Sequence, residues 1–464
     1  MGIINESTHG ANNNMNKGFR YVFFILGLLS IIQVSILKAE TLPQYGDAMH
    51  LGVQTCAGST CHGAVKPWQN SSVLQNEAIT WKKYDHHARA YKTLGKERAL
   101  RIAKNLGIED PQKDDTCLNC HANNVPKAKR AKNFTLNDGV TCEACHGGAE
   151  QWLGIHVAGV GGRKENIEAG QYPTEQPIAR AKLCLSCHYG TKNKFLTHKI
   201  MGAGHPRLSF ELDTYTATQP AHYRVDADYR QRKTWSNGVK TWAIGQAVAV
   251  DETLDALTDK KRNRQGIFPE LVFFDCHACH HPMSNLRWER RDSVGLDPGI
   301  PKLNDANIVL LRVVTSVVDP ELGKRIEDEA KILHQSSMKG GDATYDAAKT
   351  LKQTIQGVVQ KINKHSFTGG EMSKVLNALI EFGLHGEYVN YIAAEQATYS
   401  IGSVVEAMKD AGMLKGATIK KVKTAMDMAH EAVKNDDKYR PSEFVKAIES
   451  IKAAVETEMQ ISKK

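Results

Sequence analysis

The ten cysteines of this 464-residue chain form five pairs, and a histidine follows the second cysteine of every pair. The five groups are Cys56–Cys61–His62, Cys117–Cys120–His121, Cys142–Cys145–His146, Cys184–Cys187–His188 and Cys276–Cys279–His280. The last four have the spacing C-x-x-C-H, which is typical of covalent haem c attachment. In such a site two sulfurs bond the porphyrin, and the histidine binds the iron as the proximal ligand. We therefore predict five covalently attached haems, with all ten cysteines and all five motif histidines as site residues.

The first pair differs because four residues separate its cysteines. Gly58 lies in this longer loop and gives its backbone the freedom to bulge. Two other roles for paired cysteines are disulfides and zinc sites. Neither of these requires a histidine at one fixed offset, whereas haem attachment does. The histidine therefore favours haem, although the wider first site leaves the alternatives more room than the four regular sites do.

The N-terminus has the order of residues that is typical of an export signal. Lys17 and Arg20 precede the apolar segment 21–37, and the small residue Ala39 follows it. The alternative is an uncleaved anchor, because 17 residues reach the lower limit for a membrane span and Leu37 is large for a cleavage site. We predict that residues 1–39 are a signal peptide or an anchor. The rest of the chain is then periplasmic, with membrane association through residues 21–37 if the segment is retained.

The positive charge of the chain has a simple explanation. The full sequence carries a net charge of +9, and the first 39 residues contribute three basic and one acidic side chain to it. Each haem brings two propionates, so five haems bring the total charge close to zero. Compensation of propionates therefore explains the basic residues, and nucleic acid is not an expected partner.

The sequence divides into two parts. Residues 40–295 contain all five motifs, about fifty residues for each, which is too few for a conventional apolar core around every haem. From residue 300 to 464 there are no cysteines, and apolar residues recur at helical spacing, as in Phe444, Ile448, Ile451 and Val455. We predict a mainly α protein with little sheet, in which a pentahaem domain precedes a bundle of about six helices. The predicted breaks are Pro320, Gly340-Gly341, Gly369-Gly370, Gly412 and Pro441.

Other histidines supply candidates for the second axial ligand of each iron. The first choices are His50, His87 (or its neighbour His86), His156, His205 and His222, with His198 as the reserve. Imidazole is a common axial ligand of haem, and the supply covers all five irons. His277 lies between the cysteines of its own motif, and His281 directly follows a proximal ligand, so neither is a candidate. The bundle histidines, which are His334, His365, His385 and His430, are expected to be surface or packing residues.

Three segments resemble the cytochrome c-554 family and its hydroxylamine oxidoreductase-like relatives. They are Gly139–Gly148 (GVTCEACHGG) followed by His156, Trp81–Tyr91 (WKKYDHHARAY), and His198–Pro206 (HKIMGAGHP). The segment 391–397 is more weakly similar to part of the helical tail of such proteins. The resemblance covers roughly residues 45–285. It implies closely packed haems of low potential and a distal role for His87. The chain departs from cytochrome c-554 in having five motifs instead of four and in its wide first site.

These observations predict an electron carrier that exchanges electrons with redox partner proteins and has no catalytic residues of its own. The alternative is an oxidoreductase that converts nitrite, hydroxylamine or tetrathionate at one open haem. All five sites carry histidine, and none has the lysine that related nitrite reductases use at the catalytic haem. Lys199, Arg207, Tyr215, Tyr223 and Arg224 could serve an anionic substrate, but pairing with propionates is the simpler role. A third alternative is a quinol-oxidising membrane cytochrome, which requires the anchor to be retained; the helical tail could also serve docking or dimerisation.

Overall fold

Helices dominate the structure, a computed structural model that describes residues 41–160, 162–264, 267–281, 291–297 and 299–461. The predicted mainly α fold is confirmed, because the described residues contain one two-stranded sheet, formed by Gly190–Thr191 and Lys194–Phe195 in antiparallel pairing. Residues from Leu42 onward form one compact unit. The predicted signal or anchor, residues 1–39, lies outside the described residues. In the described part, no helix has both the length and the apolar character needed to cross a membrane.

The first part of the unit is made of short helices joined by long connections. Its α-helices are Val53–Cys56, Glu77–Tyr84, Ala90–Thr93, Glu97–Leu106, Asp115–His121, Cys142–His146, Leu153–Ala158, Arg163–Glu168, Pro177–His188, His198–Gly202, Leu212–Thr218 and Ala227–Arg232. Short 3-10 helices span Pro43–Tyr45, His86–Arg89, Lys127–Lys129, Leu136–Asp138, Leu271–Phe273 and Cys276–Ala278. Side chains start several of these helices, as where the Asp114 carboxylate accepts the backbone N–H of Thr116 at 2.8 Å.

The second part consists of long helices. They are Gly238–Thr258, Ala306–Val318, Pro320–Ser337, Gly341–Lys364, Gly369–Leu384, Tyr391–Asp410, Gly416–Ala432 and Pro441–Ile461, with a 3-10 turn at Asp436–Lys438. Seven of the long helices follow residue 300, one more than the predicted breaks give. The missed break is the turn between Leu384 and Tyr391, where Gly386 has a φ of 80°. Glycine adopts this left-handed conformation without the steric cost that other residues pay.

One hydrophobic core joins these long helices, and helix Gly238–Thr258 lies within it. This helix is buried along most of its length and packs against helices Gly341–Lys364 and Ala306–Val318. It also contacts helix Pro177–His188, which carries the fourth motif. The core thus begins at Ala181 and runs to Val455, so apolar contacts cross the boundary that the sequence suggests near residue 300. The division into two domains stays a prediction.

A glycine allows the hydrophobic core and the part of the chain that carries the cysteine motifs to approach each other closely. A side chain on Gly245 would meet the Leu212 Cβ atom at 2.6 Å, which is too short for two carbon atoms. Glycine at this position therefore lets helix Leu212–Thr218 rest directly on helix Gly238–Thr258. The residues just before that helix, including Phe210, reach the fourth motif from there.

Candidate haem-binding site

Each of the five motifs forms a single tight turn. The second, third and fourth motifs close the helices Asp115–His121, Cys142–His146 and Pro177–His188, so both cysteines and the histidine lie within the last turns. In the fifth motif the His280 backbone N–H donates to the Cys276 carbonyl at 2.8 Å. In the wide first motif the His62 N–H donates to the Cys56 carbonyl at 3.1 Å. The two extra residues therefore bulge without changing the contact that closes the turn.

The ten cysteines are all free thiols, and most are half-buried. Burial raises the pKa of Cys145 to about 12 and that of Cys184 to about 11. Two pairs of thiols from different motifs lie close enough to shift each other's pKa. Cys142 lowers the pKa of Cys56, and Cys187 raises the pKa of Cys120. The first motif is thus adjacent to the third, and the second is adjacent to the fourth.

Four of the motif histidines lie close to a second histidine from a distant part of the chain. The ring centres are 5.9 Å apart for His62 and His156, 6.1 Å for His188 and His87, 6.4 Å for His121 and His205, and 6.1 Å for His280 and His198. The planes of His62 and His156 differ by 13°, whereas those of His188 and His87 are nearly perpendicular, at 89°. No sequence spacing links the members of a pair.

The ring separations fit two imidazoles that bind one metal ion from opposite sides. A metal–nitrogen bond of about 2 Å, with about 1 Å more from nitrogen to ring centre, puts two such rings about 6 Å apart. The chemistry of the donor set also fits, because two thiols on the same turn accompany one ring of each pair. These residues are therefore suited to hold haem c.

The outer ring nitrogens of several paired histidines are hydrogen-bonded. The Nδ1 atom of His62 lies 2.9 Å from the Glu77 carboxylate, and Nδ1 of His87 lies 2.9 Å from that of Asp85. For His121 and His205 the partners are the backbone carbonyls of Ala90 at 3.2 Å and Pro206 at 2.8 Å. A hydrogen bond at Nδ1 fixes the ring and leaves Nε2 available for a metal, as is usual for histidine ligands.

The carboxylate partners raise the pKa values of two histidine rings. Hydrogen bonding to Glu77 raises the pKa of His62, and hydrogen bonding to Asp85 raises the pKa of His87. Burial opposes ionisation of Asp85, but hydrogen bonds from His87 and Gln219 outweigh it and lower the pKa of this carboxyl group. Both carboxylates are therefore ionised at neutral pH.

The backbone brings His87 to the third motif as well as to the fourth. The Val140 N–H donates to the His87 carbonyl at 3.0 Å, and the Trp81 indole N–H donates to the Val140 carbonyl at 3.1 Å. A side chain on Gly139 would meet the His87 carbonyl oxygen at 2.6 Å, so only glycine permits this approach. His86, the neighbour of His87, is exposed. Two of the three segments that carry the family resemblance thus contact each other.

The third motif lacks a close ring pair among the described residues. The Nδ1 atom of His146 is buried and has no hydrogen-bond partner. Burial lowers the pKa of His146 to about 3, and His222 is the largest of the charges that lower it further. His222 therefore lies near His146, but no ring contact of the kind seen in the other four pairs joins them. Arg163 and Lys233 also lower the pKa of His146 and face the same region.

His50, a first-choice candidate, lies in different surroundings. Its side chain is buried, and its Nδ1 atom lies 2.9 Å from the amide nitrogen of Asn123. Burial lowers the pKa of His50, and a hydrogen bond to the Pro43 backbone opposes that shift. Its ring contact is with Phe134 at 6.4 Å, and the structure does not bring it to any proximal histidine. The reserve candidate, His198, is the one that lies beside His280.

Three of the five cationic and phenolic groups near His198 and His222 have partners for their side chains within the protein. Arg207 forms a half-buried ion pair with Glu395 at 3.0 Å, and the Tyr215 hydroxyl donates to the Ser209 carbonyl at 2.6 Å. Tyr223 stacks on Tyr229, while Lys199 and Arg224 are exposed. Sequence reasoning did not identify Glu395, which neutralises Arg207 from helix Tyr391–Asp410.

A pocket that is partly open to solvent lies between the fourth motif and the fifth. His188 and Cys276 line it, together with apolar side chains such as Leu185, Phe195 and Phe210. Phe210 stacks on His188 with ring centres 4.7 Å apart. A space bordered by a proximal histidine, a motif cysteine and aromatic rings suits a flat macrocycle.

The remaining histidines contact protein groups or solvent. His277, within the fifth motif, forms an ion pair with Asp436 and lies beside Tyr391. In the bundle, His334 is buried 3.4 Å from Asp305, and His365 lies 3.0 Å from Glu371. His385 and His430 are exposed.

Comparison with known proteins adds a family to this geometry. No curated protein and no solved structure matches the chain. A family model does match, over residues 55–147, which contain the first three motifs. The family is described as cytochrome c554 and c-prime, which supports covalently bound haem c and electron transfer in general. The ring pairs, the thiol turns and this match are together consistent with a multihaem cytochrome c family.

Proposed function

We propose that this protein is an exported electron carrier that holds five haems c, each with its iron between two histidines. The observation that carries the proposal is the set of four histidine pairs with ring centres 5.9 to 6.4 Å apart. In each pair one ring belongs to a cysteine motif and the other comes from a separate segment. This arrangement is expected of six-coordinate haem iron.

The pairs suggest which histidine completes each site. His156 would complete the first site, His205 the second, His87 the fourth and His198 the fifth. His222, the histidine that most affects the charge of His146, would complete the third. His50 would then be a packing residue held by Asn123. When bound, haem iron supplies reversible one-electron oxidation and reduction. With both axial positions taken by imidazole, the protein offers a small substrate no place on the metal.

Contacts between motifs support a continuous electron route. The sulfurs of the first and third motifs are adjacent, as are those of the second and fourth. The pocket between His188 and Cys276 links the fourth motif to the fifth, and the hydrogen bond from the Val140 N–H to the His87 carbonyl links the third site to the fourth. Each sulfur would be bonded to the edge of a macrocycle, so neighbouring sulfurs favour short distances between cofactor edges. The partners are redox proteins that exchange single electrons.

The proposed location is the periplasm. It depends on the order of basic, apolar and small residues in segment 1–39. Covalent haem attachment through thioethers is consistent with an exported protein. N-terminal sequencing of the protein purified from its own cell envelope tests this point. A mature terminus near residue 40 indicates a soluble carrier, and an intact terminus indicates an anchored one.

The number of haems is tested by intact mass together with a pyridine haemochrome assay. Five motifs with free thiols predict five covalent haems per chain. A value of four would remove the wide Cys56/Cys61 site from the set. The Cys56→Ser/Cys61→Ser double variant should lose one haem from the count if that site is used.

The ligation is tested by EPR of the oxidised protein and by carbon monoxide binding to the reduced protein. The wild type should contain low-spin haems and bind little carbon monoxide. His205→Ala should convert one haem to a high-spin form that binds carbon monoxide. His385→Ala, which changes an exposed histidine of the bundle, is the matched control and should leave both spectra unchanged. Identical spectra for wild type and His205→Ala would exclude His205 as a ligand.

One observation favours the alternative of an enzyme with an open haem. His146 is the motif histidine without a ring contact to a second histidine among the described residues. An open iron would therefore be at the third site, next to Arg163 and Lys233. The wild type would then bind carbon monoxide at one haem, and His222→Ala would add no further binding. Turnover of nitrite, hydroxylamine or tetrathionate at tens per second would support this enzyme and overturn the carrier.

A further inference from the structure

Two of the ten proposed iron ligands differ from the others because the group that is hydrogen-bonded to their Nδ1 atom is negatively charged. His62 and His87 each place Nδ1 2.9 Å from a carboxylate oxygen, of Glu77 and Asp85 respectively. His121 and His205, the pair at the second site, instead face uncharged backbone carbonyls. The first and fourth sites thus each contain one ligand with an anionic partner, and the second contains none.

Both carboxylates are held in place by other hydrogen bonds. The second oxygen of Glu77 accepts the backbone N–H groups of Leu74 and Gln75, at 2.8 and 3.0 Å. Asp85 accepts the side-chain amide of Gln219 at 3.0 Å and the backbone N–H of His87 at 2.9 Å. All of these donors are neutral groups. They orient the carboxylates and leave their negative charge in place.

No lysine or arginine neutralises these charges within the described part of the chain. The ion pair of Glu77 is with His62, and that of Asp85 is with His87. The side chains of Glu77 and Asp85 are only 15% and 6% exposed, so water screens them weakly. Each negative charge therefore acts on the imidazole beside it and on whatever metal that imidazole binds.

We propose that Glu77 and Asp85 lower the reduction potentials of the first and fourth haems relative to the second. A carboxylate that accepts the Nδ1 proton makes the imidazole a more basic ligand, and a more basic ligand stabilises the oxidised iron. The inference rests on the proposed ligation by His62 and His87. Of these three haems, the second is then the first to take up an electron, and the first and fourth fill later.

The test is a potentiometric titration of the full five-haem protein, followed by absorption and EPR, for wild type and Glu77→Gln. Glutamine keeps the size of the side chain and removes its charge. One of the five midpoint potentials should shift to a more positive value, while the other four stay in place and every haem remains low-spin. Asp85→Asn should shift a different potential in the same direction.

The chain contains a matched control in its helical bundle. His365 places Nε2 3.0 Å from the Glu371 carboxylate, far in sequence from any cysteine motif. Glu371→Gln removes the same kind of charge from the same kind of pair and should leave all five potentials unchanged. If Glu77→Gln fails to take up five haems, Asp85→Asn decides the question by itself.

The possible outcomes separate this inference from the proposed ligation. Low-spin spectra with unchanged potentials in both variants would overturn the role of the carboxylates and leave the ligation intact. A His87→Ala variant in which all five haems stay low-spin would overturn the ligation itself. A shift as large in Glu371→Gln as in the other two variants would show a general charge effect and reject the local one.

Discussion

The two parts of the molecule bury apolar surface in different ways. Between residues 42 and 180 the buried hydrophobic side chains are mostly small and scattered, and they form one separate cluster of Leu94, Leu118 and Ala122. From Ala181 to Val455 a single core contains large aliphatic and aromatic residues. Described helices before residue 190 have at most 12 residues, whereas those of the bundle have 13 to 24. The second part can stabilise itself, and the first needs an apolar group that the chain does not supply.

We expect the largest difference between the two parts when the protein is produced without haem. In protein produced without haem attachment, we expect residues 42–180 to lose their protection from hydrogen exchange and helices after residue 238 to keep it. The reason is that short helices without a core are marginal in water. Hydrogen exchange followed by mass spectrometry gives both parts in one measurement. Equal protection in the two parts would show that the first part folds without the cofactor.

The loss of a single haem gives a graded version of the same experiment. Cys117 packs against the Leu94 cluster, so Cys117→Ser/Cys120→Ser should remove one haem and loosen that cluster while the bundle stays protected.

A core truncation should have a smaller effect, and in the opposite part. Leu254 is fully buried in helix Gly238–Thr258, and Leu254→Ala should lower the free energy of unfolding by about 2–5 kcal/mol. The haem absorption spectrum should not change. Leu100→Ala removes the same atoms from a side chain that is 49% exposed, so its cost should be within about 0.5 kcal/mol. Urea unfolding followed by circular dichroism measures both. A large change in the haem spectrum of Leu254→Ala would mean that the two parts are not separable.

The smallest effect is a pH dependence at the junction of the two parts. Glu211 begins helix Leu212–Thr218, and burial raises its pKa from 4.5 to about 7. The folded state holds this proton to a higher pH than the unfolded state, so stability falls as pH rises from about 4.5 to about 7. The total loss of unfolding free energy over this pH range is up to about 3 kcal/mol. Glu211→Gln should remove this slope from unfolding curves measured across the range. Glu431→Gln, at an exposed pair with Lys434, should retain the slope; a slope that persists in Glu211→Gln would assign it to another group.

Local patterns and long-range contacts differed in how well the sequence predicted them. The cysteine turns and the long amphipathic helices depend on neighbouring residues, and the mainly α fold follows from them. The break at Gly386 was missed although the equally isolated Gly412 was identified, because a lone glycine is tolerated inside a helix and does not by itself mark a break. Helix Gly238–Thr258 was also overlooked, although its nearly unbroken apolar run over residues 242–250 is visible in the sequence and is typical of a buried helix.

The distal ligands are the clearest limit of sequence reasoning. His62 and His156, or His121 and His205, meet only after the intervening segments have folded, so no spacing relates them. The ranking that put His50 first and His198 in reserve had no physical basis in the sequence alone. His50 contacts Asn123 and Phe134. His198 begins a helix beside the fifth motif, and its own backbone N–H donates to the Glu270 carboxylate. The assignments for these histidines stay predictions until the ligation is measured.

The contacts between thiols of different motifs have a consequence for biosynthesis. The thiols of Cys56 and Cys142, and those of Cys120 and Cys187, lie close together in the folded chain, so each of these four has a neighbour for oxidation. In an oxidising compartment such neighbours become disulfides, and a disulfide sulfur can no longer form a thioether. A chain that closed into this fold before its haems were attached would therefore block four of its own attachment sites. Attachment of haem before the chain folds would keep these four thiols available for thioether formation.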